Sequence, residues 1–335
     1  MFNFRPFIHP HCLVHWVCRY WGLTLKLIFT FLFNFTYGLV GRSLNIPTDG
    51  KPCSLAVILR QPLLMDKLIK HLEFLQETSD KTCQYLSGKE INTIQFFCLG
   101  LLRRVDDTTT ATKALFDLLP KNHKHEFSIG IMFRALVLDT LISMNLYKLI
   151  KDLEAQGKTA QETEEAVKEF CNTFLSDGLN ATLSYIQDAE TLGMRTPAET
   201  AQAFKNMGHV YKPFFDNYLD DGTRPTLKFT KKHTAKQLFE ILANSNDLKE
   251  VAKIYDSYAY LSKYDHFGII YYNAINEKLE SKIKIYANAA ETFVAHTALI
   301  HVILARHSQN DEFINEQSKV TNDYLLNNVI NQNNS

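Results

Sequence analysis

Residues 128 to 147 read SIGIMFRALVLDTLISMNLY, apolar nearly all round a helix, with Arg134 and Asp139 as the only charges. A helix that is apolar on every side has to be buried, so other helices must surround it. The rest of the chain supplies them. Residues 66 to 87 place Leu68, Leu72 and Leu75 on one stripe, and from near Glu90 the residues Ile91, Ile94, Cys98, Leu101 and Val105 recur at helical spacing. Asp106-Asp107-Thr108 can cap a continuation through Leu118, and Pro120 stops it. The central helix is predicted over 127–153.

Gly157 and Thr159 mark a loop and a new cap. The helix predicted over 160–190 opens on Glu162, Glu164 and Glu165, which suits the positive end of its dipole. Thr196-Pro197 reads as an N-cap followed by proline at the first helical position. Asp220-Asp221-Gly222 signals a turn, and the polar connection from Thr223 to Lys232, with at most one short strand, is the expected subdomain seam. Further helices are predicted at Thr234–Ala243, Asp247–Lys263 and Lys278–His307. A weaker pattern at 311–326 precedes an Asn-rich tail (Asn327 to Ser335) expected to be disordered. The fold class is all-α: an up-and-down bundle around the 127–153 helix, with a helical hairpin before it. Its predicted divisions are an atypical prefix at 1–64, the hairpin at 65–120, the bundle core at 121–310 and a terminal helix and tail at 311–335.

The prefix is unlike the rest. Before Met65 there is no Glu and one Asp (Asp49), but both Trp residues, three of six Cys and five of nine Pro. It carries six Lys and Arg, a formal +5, which leaves 30 bases against 35 acids, or −5, for the remainder. Two readings stand open. Residues 22–41 (GLTLKLIFTFLFNFTYGLVG) have the length of a membrane anchor, which needs ~20 largely apolar residues; Lys26 near its end can snorkel. Alternatively, the prefix is translated upstream sequence and the working protein starts at Met65.

The chain shows no repeat period, Gly-rich phosphate loop or basic-aromatic nucleic-acid surface, and no cofactor is expected. The acidic body argues against nucleic acid as partner, because RNA binding draws on phosphate contacts by Lys and Arg. Without a C-x-x-C pair, Cys83, Cys98 and Cys171 read as buried thiols in a reducing, cytoplasmic compartment. His296 and His301 lie five apart, 140° around a helix, so they cannot share a metal, and none is expected. The pair His123 and His125 reads as a solvated loop.

Four residues are candidates for chemistry: Arg134, Asp139, Ser262 and His266. Arg134 and Asp139 fall 140° apart, so each needs its own partner, structural or, for Arg134, a bound anion. In KIYDSYAYLSKYDHFG, residues 253–268, Tyr255, Tyr258, Ser262 and His266 line one helical face. Asp265 and His266 are adjacent and cannot orient one another as members of a triad do. Ser262 and His266 are expected to hydrogen-bond into the core, bordering one polar site with Arg134 and Asp139.

The helix FRALVLDTLISMNLY followed by Y-x-x-L-S-x-x-x-H (Tyr258 to His266) resembles a family of bacterial helical proteins of unknown function grouped with the HEPN domains. Those modules are common in phage defence and toxin systems. The resemblance spans about 115–305 and implies a HEPN-like core. Asp139 stands where that family usually has Glu. The ribonuclease signature, Arg then four to six residues then His, is missing from the helical part; Arg5 to His11 alone matches it. The resemblance therefore implies fold more than activity. The expected function is a helical ligand- or partner-binding module, with a divergent HEPN-like ribonuclease using Arg134 and His266, or a membrane-tethered sensor, as alternatives.

Overall fold

Helix starts are written locally. Asn92, Thr159, Thr196 and Thr234 each accept from the backbone N–H three residues on, and Gln95, Glu162, Glu199 and Gln237 reach back to close the box. The computed structural model describes residues 55–119, 125–217, 220–229, 233–245, 254–265, 279–308 and 310–331, the side chains of 55–63, 217, 265, 279 and 280 excepted. Residues 22–41, Asp247, His123 and His266 lie outside them.

The chain is all-α. A helical hairpin comes first: α1 (Leu55–Leu86) and α2 (Thr93–Leu118). Because α1 begins ten residues before Met65, the break in composition falls inside this helix and not at its start. Asp106-Asp107-Thr108 caps nothing, for α2 runs through it unbroken. Next come α3 (His125–Ala155), α4 (Ala160–Leu175), α5 (Asp177–Thr191) and α6 (Pro197–Tyr211). The helix expected over 160–190 is thus two helices. Ser176, fully buried at the break, sends its hydroxyl 2.9 Å to the Phe229 carbonyl, a tertiary bond invisible in local sequence.

Strands β1 (Phe215–Asn217) and β2 (Thr226–Leu227) pair antiparallel across the expected turn. With α5 and α6 they enclose a small separate core of Leu183, Ile186, Phe204, Phe215 and Leu227. The chain continues through α7 (Ala235–Ala243), α8 (Ile254–Leu261), α9 (Leu279–His307) and α10 (Glu312–Leu325). A π-helical turn, Leu326–Ile330, follows α10 and buries Val329 and Ile330. That corrects the expectation of disorder over residues 327–331, which two apolar residues among the asparagines dock; residues 332–335 of the expected tail lie outside the described residues.

Directions follow from the contacts. Helices α1, α2 and α3 alternate, since Lys113 meets Glu73 and Arg104 meets Asp139. Helix α9 then enters parallel to α3, with Glu126 against Lys282, Ser143 against His296 and Glu154 against Arg306. It also runs parallel to α1, through Lys67–Glu291 and Thr82–His301. Helix α10 returns antiparallel along α1, where Tyr324 stacks on Phe74.

The most enclosed helix is α9. Every residue from Ala289 to His301 is buried. Helix α3, expected to be the centre, has a half-exposed strip through Ile131, Met132, Arg134 and Ala135. Among the described residues, α3 and α9 are the helices long and apolar enough to cross a membrane, and 56% and 89% of their most apolar windows are buried against protein. Cys83, Cys98 and Cys171 are buried and free. Burial raises all three thiols, Cys83 to about 11 and Cys171 to about 12, which makes them poor nucleophiles.

Candidate functional site

The sequence candidates separate in space. Asp139 is 3% exposed and accepts from Arg104 Nε of α2 at 2.7 Å. Burial raises its carboxyl to about 6, although Arg104 pulls the other way. Arg134, on another face of α3, is half-buried. Its guanidinium donates to the Tyr258 hydroxyl of α8 at 3.1 Å and lies 5.1 Å from that ring's centroid. Arg134 thus finds its partner on the tyrosine face of the 253–268 segment, and it is not fully buried. Tyr258 stacks on Tyr255 at 5.7 Å, and Tyr255 on Phe239 of α7 at 4.6 Å.

Ser262 does not enter the core. Its hydroxyl turns back to the Ala259 carbonyl at 2.8 Å. The physical reason is a change of winding: α8 ends at Leu261, and Ser262–Asp265 is a 3₁₀ turn. Residues there advance ~120° instead of ~100°, which breaks the Tyr255-Tyr258-Ser262 stripe and carries Tyr264 inward. His125, expected in a solvated loop, begins α3 and is half-buried.

Tyr264 leads to a cluster that sequence reasoning missed. Glu126 in the first turn of α3, Lys282 and Tyr286 of α9 and Tyr264 are each 4% exposed or less. Lys282 Nζ donates to Glu126 Oε2 at 2.9 Å, Tyr264 donates to Oε1 at 2.6 Å, and Tyr286 donates to the same oxygen. Burial, then the Glu126 carboxylate, hold both phenols far above their ordinary range. Tyr286 is stacked on Phe133, which stacks on Phe293, each pair at 5.1 Å. In the sequence Glu126 lies two residues outside the apolar stretch, and Lys282 looks like a surface charge at a helix start. Tyr264, the fourth tyrosine of the Tyr-rich segment 253–268, offered the one usable signal.

Gly130 makes room for this cluster. A Cβ there would stand 2.8 Å from Tyr264 Cδ2 and 3.0 Å from two more ring atoms. The ring is held by Glu126 and by an edge contact with Phe127, so it cannot yield freely. Overpacking costs ~1–3 kcal/mol, against a gain of ~1 kcal/mol in helix propensity. Gly130→Ala is therefore expected to lower stability by up to about 2 kcal/mol, read as a reduced urea midpoint at unchanged slope.

Three interior histidines complete the buried chemistry. His296 Nδ1 lies 2.7 Å from the Ser143 hydroxyl, while His301 Nε2 lies 2.9 Å from Thr82 and its Nδ1 2.9 Å from the Thr297 carbonyl. A carbonyl only accepts, so His301 carries its proton on Nδ1. His71 Nδ1 meets the Tyr324 hydroxyl at 3.1 Å. Burial holds His71 and His296 down to about 3 and His301 to about 4; Lys67 and Lys70 add to it at His71, and Arg104 at His296. Ser143 and His296 form no triad, since the acid one turn away, Asp139, is committed to Arg104. Among the described residues, no group of three His, Cys, Asp or Glu is placed to hold a metal.

Comparison of the chain with protein-family models, with curated proteins and with solved structures finds no match.

Proposed function

We propose that the chain is a helical binding module, and that it takes a small anionic ligand on the α3–α8 face where Arg134 and Tyr258 meet. The observation that carries the reading is a half-exposed guanidinium: Arg134 lies against the Tyr258 phenol, and its planar donor fork is suited to a carboxylate or phosphate. The HEPN-like resemblance adds a defence or toxin system as the setting in which such binding would serve.

The test is a thermal-shift screen of the full chain against small carboxylates, phosphates and nucleotides, repeated on Arg134→Met. Stabilisation by an anion at the wild-type chain, lost in Arg134→Met while the apo melting temperature moves little, is the expected result. Cleavage of single-stranded RNA that disappears in Arg134→Met and in His266→Ala would replace this reading with the ribonuclease one.

A further inference from the structure

The hairpin of α5 and α6 ends in an apex built unlike the rest of the surface. Leu192 is 72% exposed and Met194 67% exposed. The turn that carries them is closed tightly. Met194 N–H donates to the Ala189 carbonyl at 2.8 Å, Gly193 N–H donates to Glu190, and Gly193 takes φ +70. Two residues later the Thr196–Glu199 box starts α6. In a helix end of this kind the residue after the glycine normally folds back onto the helix; here Met194 points into solvent instead. Two large apolar side chains are thus held out on a fixed backbone, which removes much of the ordering cost of binding. Tyr185, Val210 and Tyr211 add further exposed apolar surface to the same hairpin.

We propose that Leu192 and Met194 are the anchor pair by which this hairpin docks into an apolar pocket, rimmed by basic residues, on a different protein. Charge selects the occupant. Asp188, Glu190 and Glu199 flank the apex against Arg195, a local net of −2. A second copy meeting apex to apex would set carboxylates on carboxylates, because a two-fold contact pairs like surfaces. An anionic membrane would repel the same acids. A pocket with a basic rim satisfies both the apolar tip and its border. This inference does not rest on the Arg134 site.

A photo-crosslinking amino acid placed at 192 or 194 of the full chain, in its native cells, tests it, with Gln202 on the exposed side of α6 as control position. One adduct specific to 192 and 194 is expected. The crosslinked protein, purified, should bind the wild-type chain with an affinity that falls as salt rises, and about tenfold or more in Leu192→Ser/Met194→Ser. Far-UV CD and melting temperature of the double variant should match the parent. The proposal is overturned if adducts at 192 and 194 equal those at 202 or do not form. Binding to phosphatidylserine vesicles, or self-association in sedimentation velocity, that the double variant abolishes would also overturn it.

Discussion

Lys282→Met is expected to lower the unfolding free energy by ~3–5 kcal/mol, the cost of removing one partner from a buried pair and leaving the other charge uncompensated. Glu126, 4% exposed, would keep its two phenols and lose the Lys282 ammonium. The companion Glu126→Leu/Lys282→Met removes both charges. It should recover most of that loss, because a buried pair is worth little more than apolar residues of the same volume. Urea unfolding of the three proteins decides the matter. If the single variant costs under ~1 kcal/mol, the pair is not the clamp described above.

Acid will unfold this protein steeply between pH 6 and 4. His71, His296 and His301 stay neutral in the fold down to about 3, 3 and 4, whereas an exposed histidine charges near 6.5. Below pH 6.5 the unfolded chain therefore binds more protons, and stability present at neutral pH is lost as pH falls. His307, held down to about 4 by burial and by Arg306, is a fourth, and four such groups give a slope of about 5 kcal/mol per pH unit. Asp139 works in the opposite direction. Its folded value is raised to about 6, so between pH 6 and 4 the folded state holds the extra proton and regains about 1 kcal/mol per unit. The net is about 4 kcal/mol per unit, against a typical total of ~5–15 kcal/mol. Chemical denaturation at pH 7, 6 and 5 measures it. His301→Gln should flatten the slope by about one proton, and a flat profile would show that the histidines titrate freely.

The helices were legible because their signals are local: a threonine cap with Glu or Gln three residues on, or a stripe at three and four. What was not legible depends on partners far away. Helix α9 reads as amphipathic because Glu291, Thr292, His296, Thr297 and His301 interrupt its apolar text, yet each is buried. Glu291, His296 and His301 meet Lys67, Ser143 and Thr82 on α1 and α3, and Thr82 is 219 positions from His301. Arg134 and Asp139 stood out as charges in apolar surroundings, and both found partners on other helices. Glu126 and Lys282, each at a helix start 156 positions apart, gave no such contrast.

The parallel course of α3 and α9 sets an order on biosynthesis. The helix on which α1, α2 and α3 all pack leaves the ribosome more than a hundred residues after them. At ~5–20 residues per second, the faces of α1 and α3 wait on the order of 10–30 s for α9 to reach them. Until then Leu68, Leu72, Phe133 and Leu136, all buried at the end, lack the helix that completes their enclosure. The nascent chain is thus committed to a late, non-local closure, an interval in which exposed apolar faces are open to aggregation.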